Sequence, residues 1–388
     1  MPKSVFYIIG NEFCERFSYY GMKAILAIYL VKSLGLTENV ATIVIHSFNF
    51  FAYFFSLIGG LIADCWLGKY RTILYLSVAY VVGITLLSTS SLPLSSSTCS
   101  AWLAFTGLAL LALGTGGIKP CVSSFGGDQF DEFDVERVSR FFSIFYFTIN
   151  AGSVLSMLVT PILRKDVHCF GRQSCFPIAF GLPALLMLIA LLIFICGKSL
   201  YKHIVTEGTS IISIWNVYRY AFMERRKAVD KSKPLLEYAK SEYPPKLITN
   251  IIELQRVLII LLPAPFFWAL YDQQGSRWTF QAMRMDNHIL GLTIKPEQMQ
   301  LLNALLILCC IPLFQKIIYP LARRFGFRCG SVQKISCGMF LAILSFLSSA
   351  LLELKIEQGT FAPPSDETID NTKCIKNCVN ISWQAPQY

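Results

Sequence analysis

Six polar side chains interrupt the first long apolar segment of the sequence. Glu12, Glu15, Arg16, Tyr19, Tyr20 and Lys23 recur at spacings of three and four, which places them on one stripe of a helix. The opposite face is Phe, Ile, Leu and Ala. The segment, roughly residues 5 to 33, is longer than the about 20 residues a helix needs to cross a bilayer. A charged group at the bilayer centre costs about 2.5–3.5 kcal/mol on insertion scales. Four such charges are tolerated only where they pair and face a wet interior. Paired carboxylates beside an arginine can take up and release a proton, and the cations can hold a carboxylate ligand. The stripe therefore reads as a substrate and proton site. Two plainer readings stand beside it: a soluble amphipathic helix, or polar glue between helices.

The elements around that stripe must be membrane helices. The 388 residues are 54% hydrophobic and only 15% charged, against about 25% charged in soluble domains. The apolar residues gather into runs of roughly 20, the length of a span. The net charge of +10 sits mostly between those runs, where orientation rules place it, so no nucleic-acid partner is implied. The first run begins near Val5, lacks a small-residue cleavage site and is broken by charges, so it reads as a retained helix. The 13 cysteines are scattered. Cys14, Cys121, Cys196, Cys309 and Cys310 fall within apolar runs and read as buried thiols. Without paired C-x-x-C units or a histidine cluster, no metal site is expected. Without a nucleophile elbow or a phosphate loop, neither an enzyme nor a cofactor is expected.

Nine spans are predicted, near 5–33, 39–63, 72–91, 101–122, 139–163, 177–197, 252–272, 298–319 and 334–353. Residues 1–197 form a six-helix bundle and 198–251 a basic linker. Residues 252–353 form helices seven to nine, and 354–388 open an extracellular segment. The linker lysines and arginines, Lys69 and Arg71, and the cluster Arg323, Arg324, Arg328 and Lys334 share the side of the amino terminus, which makes that side cytoplasmic. Residues 209–226 of the linker read as an amphipathic helix on the inner leaflet. On the other side, Asn380-Ile-Ser382 is a glycosylation acceptor. Cys374 and Cys378 can pair there with each other or with partners further along. Six plus three is an odd count; it suggests six plus six with the last three helices missing.

Further motifs carry chemistry. Gly60-Leu-Ile-Ala-Asp64-Cys-Trp-Leu-Gly68-Lys69-Tyr-Arg71 ends the second span. It resembles the loop signature of the major facilitator superfamily, in which glycines allow close helix approach, the Asp can accept from a helix N-terminus and the basic residues can pair across the bundle in one conformation only; the plainer reading is an ordinary charged turn. Gly114-Thr-Gly116-Gly117-Ile-Lys119-Pro120 places a lysine deep in an apolar run. Lys119 either snorkels to the interface or faces the carboxylates of the first helix.

Together with Gly126-Gly-Asp128-Gln-Phe130, Phe142-Ser-x-Phe-Tyr146-x-x-Ile-Asn150-Ala-Gly152 and Phe267-Trp268-Ala-x-x-Asp272-Gln-Gln-Gly-Ser-Arg277-Trp278, these motifs resemble the proton-coupled oligopeptide transporter family, in its animal intestinal and renal branch. The resemblance runs from about residue 4 to 355. It implies an all-α membrane protein of the major facilitator fold, with a six-helix bundle and three helices of a second. It implies symport of di- and tripeptides with protons by alternating access, as a monomer in the plasma membrane, apical if epithelial. Glu12 and Glu15 would handle the proton with His46. Arg16, Tyr20, Lys23 and Lys119 would receive the peptide carboxylate. Asn150 and Asn303 would bond the peptide backbone or amine, while Tyr29, Tyr53, Tyr146 and Trp268 would shape side-chain pockets. Asp64, Arg71 and Arg256 would gate the inner side. Lys23 stands where the family often has Arg, so the charge stays but the bidentate fork is lost. Gln315 stands where Arg256 would meet an aspartate. The family's amine-binding glutamate comes from a tenth helix, beyond this sequence. A nitrate or amino-acid carrier of the same fold and a truncated, non-transporting regulatory product remain alternatives.

Overall fold

A computed structural model describes residues 1–93, 97–131, 134–171, 174–202, 210–227, 233–289, 292–324, 326, 330–360 and 379–388. Six long helices come first: α1 (Lys3–Lys32), α2 (Glu38–Ile62), α3 (Lys69–Ser90), α4 (Ser97–Gly127), α5 (Val135–Asp166) and α6 (Phe176–Cys196). α2 starts where Thr37 accepts from the Val40 amide and Glu38 sits in the first turn, both favourable at the positive end of a helix. It ends in a π-turn, Ala63–Leu67, and at Gly68 with φ +74° and ψ 157°. That backbone region is open only to glycine, so Gly68 of the loop motif lets the chain reverse into α3.

One apolar core joins these six helices, with Ile25, Leu26 and Tyr29 of α1 packed among residues such as Phe48, Tyr80, Leu111 and Phe180. α2 and α4 cross at Gly59 and Gly117, where a Cβ on Gly59 would collide with the Gly117 backbone. Backbones approach this closely only over small residues. The outward faces stay apolar: Phe50, Phe54 and Leu57 of α2 and Leu185 and Leu192 of α6 are exposed. That pattern suits helices solvated by lipid.

The linker folds back on itself. α7 (Ser210–Lys227) and a 3₁₀ turn at Leu235–Ala239 share a small core with the start of α8 (Pro245–Ile260). α8 continues into α9 (Ala264–Tyr271) across a 44° bend. Pro263 and Pro265 stand there, and a proline supplies no backbone N–H to the helix ladder. α10 (Arg277–Met283), a short hairpin of β1 (His288–Ile289) and β2 (Leu292–Thr293), α11 (Met299–Leu313), α12 (Tyr319–Arg324) and α13 (Ser331–Thr360) follow. Residues 379–388 pack against α10 and α13: Gln384 donates to the Trp278 carbonyl at 2.7 Å, and the Tyr388 ring meets Trp278 edge-on.

Among the described residues, six helices are long and apolar enough to cross a membrane, or seven if the bent pair is one span. The sequence predicted nine. α1 has the length but carries Lys3, Glu12, Glu15, Arg16, Lys23 and Lys32, and its polarity, not its length, sets it apart. The eighth predicted span is interrupted by a π segment at Phe314–Ile318 between α11 and α12. Of the cysteines read as buried thiols, Cys14 and Cys121 are buried but Cys196 is exposed. The side chains of Cys309 and Gln315, and Cys374 and Cys378 altogether, lie outside the described residues.

Candidate functional site

α1 runs between α5 and α6 on one side and α2 and α4 on the other, which puts its polar stripe inside the bundle. Glu12 and Glu15 are each 1% exposed and Arg16 is 7% exposed. The Arg16 Nε lies 2.7 Å from Glu12 Oε1 and 2.9 Å from Glu15 Oε2. One guanidinium thus bridges both carboxylates. Thr115 of α4 donates to Glu15 Oε1 at 3.2 Å. Glu12 Oε2 has no hydrogen-bond partner among the described residues. Gly152 lets α5 approach here, since a Cβ would press on the Phe13 carbonyl and Arg16.

Lys119 faces the same cluster without clasping a carboxylate among the described residues. Its ammonium sits 4.6 Å above the Tyr19 ring and 5.0 Å above the Tyr53 ring. A partly buried cation on two aromatic faces gains roughly 0.5–2 kcal/mol. That stabilises Lys119 without neutralising it. One turn further on, Lys23 pairs with Asp272 of the second half at 3.0 Å. The cluster then holds three cations, Arg16, Lys23 and Lys119, against three carboxylates, Glu12, Glu15 and Asp272.

More polar ties join the two halves at this end of the bundle. His46 Nε2 lies 3.4 Å from Ser276 Oγ. Arg277 donates to Asn39 at 2.7 Å. Arg164 pairs with Glu297 at 2.5 Å and Lys295 with Asp166 at 2.7 Å. Arg164 and Glu297 are 6% and 0% exposed. A buried pair of this kind loses about 3–5 kcal/mol when one partner is removed. In the nearby α5–α6 loop, Cys169 and Cys175 form a disulfide.

The remaining predicted residues divide. Tyr20 meets Tyr19 edge-on. Tyr53, Tyr146 and Trp268 are about half exposed, and Asn150 donates to the Tyr146 carbonyl at 2.7 Å. Asn303 donates to the Tyr271 hydroxyl at 2.7 Å, beside a cavity of about 360 Å³. Tyr29 does not join the cluster. It is fully buried, hydrogen-bonded to Ser90 at 2.7 Å and packed on Phe176 and Phe180. Nine residues beyond Tyr20, it lies about 14 Å further along the helix, inside the six-helix core.

At the opposite end, Asp64 and Arg71 are exposed and line one cavity of about 710 Å³ with Lys69 and Asp128. The short ion pair there is Lys69–Asp128, 2.6 Å. Arg256 is exposed on α8. Asn380 donates to the His288 carbonyl at 2.6 Å and accepts from the Ser382 amide at 3.0 Å, so both ends of its carboxamide are engaged. Sequence reasoning did not name Asp272, Thr115, Arg164, Glu297 or Asp128 as site residues. A charge close to an apolar run was the available signal for Asp272 and Arg164, while Thr115, Asp128 and Glu297 carried no such signal.

The sequence profile of the POT family matches residues 70–388. A Drosophila melanogaster protein, peptide transporter family 1, is 51% identical over 363 residues, 93% of this chain and 49% of the relative. Solute carrier family 15 member 2 of Danio rerio is 48% identical over 368 residues, 94% of this chain and 51% of the relative. The in meso crystal structure of the POT family transporter PepTSo superposes with a TM-score of 0.83 at 31% identity, over 100% of this chain and 80% of that one. The chain spans about half the length of the curated relatives it matches. Charges that no lipid-facing helix could carry, gathered inside an apolar bundle that superposes on such a transporter, have one consistent source: the chain is a multi-pass membrane protein of the POT family, built on the major facilitator fold.

Proposed function

We propose that the chain provides the substrate and proton site of a symporter that moves di- and tripeptides with protons by alternating access. One observation carries this: a single arginine spans two buried carboxylates while a lysine beside it rests on aromatic rings. Protonating Glu12 or Glu15 removes a charge that holds Arg16, since the neutral acid no longer attracts the guanidinium. Arg16 and Lys119 then meet the peptide carboxylate. Tyr20, Tyr53, Tyr146, Asn150, Trp268 and Asn303 shape the rest of the pocket, with Asn150 and Asn303 toward the peptide backbone or amine. Lys23 serves through Asp272, as a tie between halves rather than as an open carboxylate receptor. His46 shares the proton through Ser276.

The amino terminus is assigned to the cytoplasm of a plasma-membrane carrier that works as a monomer. Residues 1–197 and 252–353 are the moving bodies and 198–251 the cytoplasmic linker. The Cys169–Cys175 disulfide then falls on the oxidising side, as expected for such a bond. The ties from Lys23–Asp272 to Lys295–Asp166 close the extracellular end. Asp64, Arg71 and Arg256 act on the inner end, with Lys69 and Asp128 added.

Proteoliposomes with an inward proton gradient test the reading. Dipeptide should accumulate above its outside concentration, and unlabelled dipeptides should compete with it. Uptake unaffected by collapsing the gradient, or competition by nitrate or single amino acids instead, would sink the proposal.

A further inference from the structure

α7 has two apolar faces, and the core of the linker uses only one. Val217 and Ala221 are fully buried against Leu236, Ala239, Ile248 and Ile251. On the opposite side, Trp215, Arg219, Phe222, Met223 and Arg226 follow at i, i+4, i+7, i+8 and i+11, one continuous stripe of a helix. All five are exposed, Trp215 to 69%. The Arg226 guanidinium lies 4.8 Å above the Phe222 ring. Aromatic side chains interleaved with arginines make the pattern of a helix lying in a membrane interface. Charge supports the same occupant. The helix carries Arg219, Arg225, Arg226 and Lys227 against Glu224 alone, and Lys227 already pairs with Glu224 at 3.4 Å.

Height decides between lipid and an aqueous partner. Tyr218 accepts from Gln255 of α8 at 2.5 Å. After Gln255 and the exposed Arg256, the chain becomes an unbroken exposed apolar run from Val257 to Leu262, through the end of α8 into the bend. Gln255 and Arg256 therefore form the last polar turn before the bent span enters hydrocarbon, and the Tyr218–Gln255 bond pins α7 beside that turn.

We propose that α7 is an interfacial anchor whose Trp215–Phe222 face seats in the leaflet beside it, with Arg219 and Arg226 held by anionic phospholipid headgroups. The site is distinct from the peptide pocket. It rests on the membrane reading of α8, and on the cytoplasmic orientation only for which leaflet is met in a cell.

The test uses the full chain in lipid nanodiscs, where both leaflets are alike and transport is not read. Bromine on the acyl chains quenches a tryptophan in contact with them. Subtracting the signal of Trp215→Phe isolates Trp215 from the other five of the six tryptophans. Brominated discs of phosphatidylcholine and phosphatidylserine should quench Trp215 more than brominated phosphatidylcholine alone. Arg219→Gln with Arg226→Gln should lower the seated population, roughly five-fold per arginine, the equivalent of about 1 kcal/mol for a basic residue near an anionic leaflet. High salt should produce the same loss without any mutation, because the attraction is screened. Trp215 left unquenched in both lipids, whether its emission is that of water or of a covering protein or second copy, overturns the anchor. Equal quenching in both lipids, indifferent to salt and to the arginines, overturns the anionic headgroup.

Discussion

In the proposed symport, Arg16 cannot serve two carboxylates and a peptide at once, and that competition is where coupling would arise. Glu15→Gln should abolish proton-driven accumulation while leaving exchange of labelled for unlabelled dipeptide across the membrane; undiminished uphill uptake would refute the role of Glu15. Lys119 differs, because rings hold it without taking its charge. In the proposed symport, Lys119→Ala should weaken dipeptides with a free carboxylate by roughly ten- to a hundredfold, as loss of a charge-assisted bond of roughly 1.5–3 kcal/mol implies, and amidated dipeptides much less. Equal loss for both would remove Lys119 from the carboxylate pocket. The stripe on α1 was legible because four charges in a spanning helix demand an explanation. The ring seat of Lys119 was not, since Tyr53 lies 66 residues away on another helix and nothing in its own segment points there. Tyr29 shows the reverse fault: the resemblance suggested a pocket, and burial against Phe176 and Phe180 places it in the core.

Helix against helix, small residues and cross-links set what can move. At the α2–α4 crossing, Gly59→Ala forces a methyl group into the Gly117 backbone. Overpacking of this kind costs about 1–3 kcal/mol, so the variant should melt at lower temperature in detergent, and an unchanged melting point would mean the helices part freely. The ties between halves act otherwise. Glu297→Gln leaves Arg164 buried and uncompensated in the closed arrangement, so the ends of the two halves that this pair joins should spend more time apart, read as longer spin-label distances between α5 and α11. Unaltered distances would assign that pair to stability alone. In the loop after α4, Lys202 hydrogen-bonds Asp131 and holds its carboxyl below the usual carboxylate range. A depressed acid contributes above its ordinary pKa and loses that contribution as pH falls through the lowered value, so this exposed tether between loop and linker loosens only in acid. α7 was readable from its periodicity within a residue of its observed bounds. The bend at Leu261–Pro263 had its signal in Pro263 and Pro265, but apolar length continues straight through it and reads as one span.

Across the whole molecule, all the ties described between the two halves gather at one end: Lys23–Asp272, His46–Ser276, Asn39–Arg277, Arg164–Glu297 and Asp166–Lys295. Their partners lie 129 to 249 residues apart in sequence, which is why no local pattern announced them, whereas the fold class was plain from composition and run length. The equality of charge around Arg16 has an electrical consequence. Among the described residues of that cluster three positive groups face three negative ones, and in the proposed symport a zwitterionic dipeptide adds no net charge. Each proton taken up with it makes the loaded body cationic by one. A membrane potential then does about 2.3 kcal/mol more work per 100 mV on the loaded stroke, for each proton carried, than on the empty return. Dipeptide-evoked current should therefore grow as the cell interior becomes more negative, and the slow step should pass from the loaded to the unloaded stroke as it does.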